Sequence, residues 1–215
     1  MECKYVAFVG TDSYDLVHFI TRTAAVLGCH CLAVDRTKDL VLMQSLPDDC
    51  DLPLVDYRGV DFTCQETEQE AVEEIYDYVF FYYGFDTPVI PDIFEEVYCV
   101  IDYQKQNLTK MKEIKLPDKY AVLVLRDSNI SKNYTSYVTL ELANKGFVQD
   151  DVCELPFTQG DATVRLAVQY DGIFNFSKVS SEVVKFIVKF FSVDFKAKDV
   201  QKAARIASKG KGVQK

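Results

Sequence analysis

An α/β protein with a doubly wound, mostly parallel sheet and helices on both faces, a three-layer sandwich, is the fold class this sequence predicts. Three observations predict it. Strand-like and helix-like patterns alternate along most of the 215 residues. Several strand runs, such as "YVFFYYGF" (78–85), are apolar without alternation, as in strands covered on both faces. Helix punctuation falls between them, with Gly28 after one amphipathic run and Ser180 and Ser181 before another.

Tyr5–Val9 is a short run of β-formers. From Tyr14 to Leu27 the apolar residues Leu16, Val17, Phe19, Ile20, Ala24 and Leu27 recur at helical spacing, and Gly28 is a natural C-cap. "CLAV" (31–34) predicts a second buried strand ending at Asp35, and "LVLM" (40–43) a third short one. A loop rich in Pro and Asp leads to "LPLVDYRGVDFT", read as one or two short extended pieces with a turn at Arg58 and Gly59. "TEQEAVEEIYD" (67–77) predicts a short acidic helix before the strand at 78–85. Strands at 96–103, 119–127 and 152–157 follow, with helices over "NLTKMKEIK" and over "TSYVTLELANKG", the latter closed by Gly146. The last strong helix spans 179–191. Residues 1–192 thus read as the α/β domain and 193–215 as a basic C-terminal helix or tail.

Hydrophobic residues make up 48% and charged residues 27%, which suits a packed core and excludes global disorder. No stretch approaches the length of a membrane span, and the start is too short and strand-like for a signal peptide, so the expected location is cytoplasmic. Seven cysteines without a C-x-x-C pair read as free thiols. In "CHC" (29–31) adjacent positions point to opposite faces, so no metal site is expected. His18 lies inside the first helix pattern and reads as a packing histidine rather than a general base. Asp48, Asp49, Asp51, Asp56 and Asp61 read as a solvated face, with a docking surface for a basic partner as the alternative.

The net charge of −9 is uneven. Lys196, Lys198, Lys202, Arg205, Lys209, Lys211 and Lys215 against Asp199 give the last twenty residues +6, leaving −15 on the first 195. An acidic body disfavours broad nucleic-acid binding, but the tail is suited to it. Apolar positions in the tail, mostly Ala, fit a helix with one apolar and one basic face. That helix either packs by its small residues or meets anionic lipid, nucleic acid or an acidic protein. Any membrane contact would be shallow and peripheral, at the inner face.

In such sheets ligands bind beyond the carboxyl ends of the strands. There, "VGTDSYDLV" (9–17) sits where a phosphate loop would. Anchoring G-x-x-x-x-G-K-[ST] on Gly10 puts Asp15 at the second Gly, Leu16 at the Lys and Val17 at the Ser/Thr. Thr11, Asp12 and Ser13 fill the loop, and Asp12 or Ser13 can simply cap the helix. Asp12 and Asp15 bring negative charge towards any triphosphate. A buried strand of this class usually ends in a magnesium-side Asp; here Tyr82 and Tyr83 stand there. With Phe85 these rings either fill a vacated pocket or pack on a partner.

"KYVAFVGT", "LGCHCLAVDRT", "YDYVFFYYGF", "VYCVIDYQKQNLTKMKEI", "KYAVLVLRDS" and "ELPFTQGDATVRLAVQYDG", in that order, resemble the strand-and-loop sequence of the MinD/ParA-type P-loop ATPases over about residues 3–190. The chain is most similar to degenerate members such as the TadZ/CpaE-like proteins of pilus assembly and localisation. The resemblance implies that Asp35 matches an Asp near the attacking water. It also implies that Arg126 and Asp127 replace a base-reading Asn. Active relatives dimerise face to face across the nucleotide. The reading that follows is a non-catalytic scaffold without a nucleotide cofactor, in a homodimer or hetero-assembly of secretion, pilus or conjugation type. Two alternatives stand beside it. One is a nucleotide-binding switch using Arg36, Lys38, Lys105 and Arg126; the other is a nucleic-acid accessory protein acting through the tail.

Overall fold

The computed structural model describes residues 2–47, 52–66, 69–117, 121–129, 132–145, 147, 152–170 and 175–209. Cys50, Gly146, Gly210, Lys211, Lys215 and the acids Asp48, Asp49 and Asp51 lie outside them.

Eight strands form one sheet: β1 (Lys4–Gly10), β2 (Cys31–Asp35), β3 (Val55–Tyr57), β4 (Val60–Thr63), β5 (Tyr78–Gly84), β6 (Glu96–Ile101), β7 (Ala121–Arg126) and β8 (Val152–Leu155). Their order across the sheet is β3-β4-β2-β5-β1-β6-β7-β8. All pairings are parallel except that of β3 with β4, which is the hairpin turning at Arg58 and Gly59. The helices are α1 (Tyr14–Val26), α2 (Val41–Gln44), α3 (Gln69–Glu73), α4 (Lys105–Glu113), α5 (Lys132–Leu142), α6 (Gln159–Tyr170), α7 (Ser181–Phe190) and α8 (Ala197–Ala207).

Strand residues alternate between two cores because successive side chains point to opposite faces. Val6, Phe8, Phe80, Tyr82, Val122 and Val124 join α1, α2, α6, α7 and α8 in one core. Ala7, Val9, Val79, Phe81, Leu123 and Leu125 join α3, α4 and α5 in the other. This double burial explains the unbroken apolar runs. The aromatic content is spent here: Tyr98 stacks on Phe8 at 5.2 Å and meets Phe190 at 5.2 Å.

Two elements differ from the sequence reading, and a third resolves between the alternatives that reading left open. The run 40–43 is the helical turn α2, not a strand. Leu40 adopts a left-handed φ of 49°, and Leu42 and Met43 owe their apolarity to burial beneath the sheet. Helix α6 was not predicted, although a signal exists. Thr158 Oγ1 accepts the Asp161 N–H at 3.0 Å and donates to the Asp161 carboxylate at 2.7 Å, which is capping-box logic with Asp at the fourth position. The tail is the third. α8 lies on α1 and inserts Val200, Ala203, Ala204 and Ala207 into the core. Its small residues allow that close approach, and its apolar face is therefore spent. Lys196, Lys198, Lys202, Arg205 and Lys209 remain exposed on the outside. Elsewhere the structure follows the pattern, and Ser180 caps α7 by accepting the Val183 N–H.

His18 is buried in α1, and its Nε2 lies 2.7 Å from Ser45 Oγ. Because the Ser45 hydroxyl donates to the Leu42 carbonyl at 2.6 Å, the imidazole Nε2–H is the donor to Ser45. Burial pushes the His18 pKa down to about 3. The unfolded chain takes up this proton near pH 6.5 and the folded chain does not. Stability therefore falls with acid below pH 6.5, by about 1.4 kcal/mol per pH unit while only this group titrates. His18→Gln keeps a donor for Ser45 and should remove that slope between roughly pH 6 and 5 in urea unfolding. An unchanged slope would show that His18 is not the titrating group.

Candidate functional site

The loop between β1 and α1 is built around Gly10. Its φ is +112°, and a Cβ there would sit 2.0 Å from the Val100 carbonyl oxygen on β6. The same carbonyl accepts the Thr11 N–H at 2.8 Å, so the loop is stitched to the end of β6. The Ser13 N–H, which a phosphate loop would turn towards its ligand, approaches the phenol oxygen of Tyr82 at 3.4 Å. Tyr82 itself is buried under the loop, and burial followed by the charge of Asp12 pushes its pKa up, keeping it neutral. Thr11 Oγ1 and Ser13 Oγ are buried with no hydrogen-bond partner among the described residues.

Leu16 and Val17 are core residues of α1. Asp15 faces inward as well. Arg126, at the end of β7, shares the parity of Val122 and Val124 and so points to the α1 side. Its Nη1 and Nη2 donate to the two Asp15 carboxylate oxygens at 2.8 and 2.7 Å, and Nη1 also donates to the Asp12 carbonyl at 2.9 Å. Burial acts to raise the Asp15 pKa, but the guanidinium outweighs it and holds the carboxyl below its usual range. Burial acts to lower the Arg126 pKa, and Asp15 reverses this. Both groups stay charged. The sequence reading had Arg126 as a free cation at a strand exit; burial and this bidentate pair correct that.

Asp35 has a structural task. One carboxylate oxygen accepts the Thr37 N–H and hydroxyl at 2.9 and 2.6 Å, and the other accepts the Leu42 and Met43 N–H groups at 2.7 and 3.0 Å. It holds the turn after β2 and caps α2. Arg36 is not among the residues lining the strand-end cleft: its Nη1 donates to the Cys64 carbonyl just past β4 and its guanidinium lies 5.8 Å from the Phe81 ring centre. Tyr83 packs against Phe81 and Phe94 on the α4 side. Lys38 and Lys105 are exposed.

What the strand ends do enclose is a cleft of about 350 Å3 lined by Gly10, Thr11, Tyr82, Phe85 and four carboxylates: Asp12, Asp39, Asp86 and Asp102. Asp86 accepts the Lys38 N–H, and Asp102 accepts from Gln104 N–H and Asn107 Nδ2. Lys110, over the Phe85 ring at 5.3 Å, is the cation among the lining residues. The sequence marked these loops by position; Asp39, Asp86, Asp102 and Lys110 were not singled out, because only the crossovers bring them together.

No family model matches the sequence, and neither does any curated protein sequence. Solved structures do match in shape. A plasmid partition protein from Borrelia burgdorferi bound to AMPPNP aligns with a TM-score of 0.52 at 10% identity, covering 88% of this chain and 100% of that one. The pNOB8 ParA bound to nonspecific DNA gives 0.51 at 11% identity, over 90% and 100%. The MinC:MinD cell division complex of Aquifex aeolicus gives 0.50 at 12%, over 98% of both chains. At such identities the likeness speaks for the fold, and the fold of this chain is that of the ParA and MinD proteins.

Proposed function

We propose that the chain is a non-catalytic, ParA/MinD-like pseudo-ATPase that acts as a scaffold or positioning subunit. It works through protein contacts in a cytosolic or membrane-associated assembly of secretion, pilus or conjugation type. The buried Arg126–Asp15 pair carries the reading. It satisfies inside the protein the charge that an active loop would keep for phosphate, and it draws the Asp12 carbonyl inward with it.

The groups present do not fit a magnesium triphosphate. The Lys and Ser/Thr positions are the core residues Leu16 and Val17, the Ser13 amide faces a phenol, and the cleft has four carboxylates against one ammonium. A carboxylate 4 Å from a phosphate oxygen costs about 4 kcal/mol at an effective dielectric of 20. Asp35 accepts four hydrogen bonds from Thr37, Leu42 and Met43, which supports a structural role for it over water activation. Calorimetry with ATP or ADP and magnesium should show no binding heat, and a phosphate-release assay no turnover. Micromolar binding with hydrolysis would overturn the reading.

The exposed basic face of α8 favours a second reading, contact with nucleic acid, which the pNOB8 ParA likeness also suggests. Because α8 is part of the core, charge reversal is the proper test, not truncation. Lys198→Glu, Lys202→Glu and Arg205→Glu together should abolish DNA retardation and its salt dependence. No retardation by the unaltered protein at low salt would exclude this reading.

A further inference from the structure

The strand-end cleft carries unbalanced charge. Asp12, Asp39, Asp86 and Asp102 stand against the single ammonium of Lys110, so the lining residues bear a net charge of −3. None of the four carboxylates enters an ion pair among the described residues, where the pairs are Lys4–Asp194, Lys112–Glu141, Arg126–Asp15 and Lys185–Glu182. Two oxygens on the same lining are also unspent. Thr11 Oγ1 is buried and has no hydrogen-bond partner among the described residues. Tyr82, 1% exposed, takes only the long 3.4 Å contact from the Ser13 N–H on its phenol oxygen, which leaves that oxygen able to accept another donor. Buried polar atoms in folded proteins are rarely left in this state, and a ligand rich in N–H groups would complete them.

We propose that this cleft binds a linear aliphatic polyamine, with a triamine as the best match. Three features select that chemistry. The charge of −3 is matched by a chain that carries one positive charge per amine at neutral pH. The carboxylates come from four separate loops, and no three His, Cys, Asp or Glu among the described residues are placed to hold one metal ion. Charge spread in this way suits an extended cation and not a point charge. The Phe85 ring, which already holds the Lys110 ammonium at 5.3 Å, offers an aromatic face to cationic groups. At about 350 Å3 the cleft has the volume of a small-ligand site. The proposal rests on the reading that this cleft does not take a magnesium triphosphate.

Calorimetric titration of the full chain with spermidine at low salt tests it. Binding in the micromolar range is expected, at least about tenfold tighter than for the diamine putrescine or for magnesium chloride, and weakening as salt is added. Asp12→Asn and Asp39→Asn together should weaken it by about tenfold or more, while Lys110→Gln should tighten it several-fold by removing the repelling charge. Glu113→Gln, exposed on α4 and outside the lining, should change nothing. Asp12, Asp39, Lys110 and Glu113 are all exposed, so circular-dichroism melts should match the parent. No spermidine heat, binding unchanged in the Asp12 and Asp39 double variant, or magnesium binding as tightly as spermidine overturns the proposal. A tri-arginine peptide that binds more tightly than spermidine also overturns it, in favour of a basic segment of a protein. Magnesium-ATP binding in the same instrument would instead overturn the reading beneath it, whereas silence towards both ligands overturns the polyamine alone.

Discussion

Replacing Arg126 with alanine is expected to destabilise the protein by roughly 3–5 kcal/mol in urea unfolding. The change leaves the Asp15 carboxylate buried and without its two donors, and frees the Asp12 carbonyl as well. An unpaired buried charge is far more damaging than a missing pair. The double variant Asp15→Leu with Arg126→Met should therefore recover most of the loss, since apolar residues of similar size replace such pairs at little net cost. If the single variant unfolds like the parent, the pair is not the lock on the loop. The two results also separate stability from ligand binding. A stable double variant that gained nucleotide binding would make the buried pair, rather than Leu16 and Val17, the obstacle to it.

Gly10→Ala should be similarly severe. The new methyl would meet the Val100 oxygen at 2.0 Å in a backbone conformation with φ of +112°. Both obstacles are backbone, so no rotamer change relieves them. β1 sits at the centre of the sheet, paired to β5 and β6, and the clash must separate β1 from β6 or break the Thr11–Val100 hydrogen bond. A loss of several kcal/mol, or failure to accumulate as folded protein, is the expected outcome in expression and thermal unfolding. Gly28→Ala is the control. It shares a positive φ, but nothing lies within 4 Å of its Cβ, so it should cost only about 1 kcal/mol. Equal effects at the two sites would show that conformation, and not the approach of β6, makes Gly10 necessary.

Local chemistry made the strands and most helices readable. Unbroken apolar runs mark strands covered on both faces, and Ser180 marks the start of α7 because its cap acts three residues away. The run 40–43 misled for the reverse reason. Four apolar residues fit a strand or a buried turn equally, and the choice is made by Asp35, whose carboxylate caps α2 from seven and eight residues away. That Leu16 and Val17 belong to the apolar face of α1 was likewise a matter of spacing and was visible directly.

By itself, the sequence determined the α/β alternation, the glycine at the turn after β1 and the identity of the residues in the loop, because each is fixed by neighbours within a few positions. Only the tertiary structure decided that Asp15 meets Arg126 from 111 residues away, that α8 belongs to the core, and that four separate aspartates share one cleft. The physical reason is the crossover topology. It sets which strand ends adjoin, and so which charges are neutralised by a partner and which are left to face the cleft.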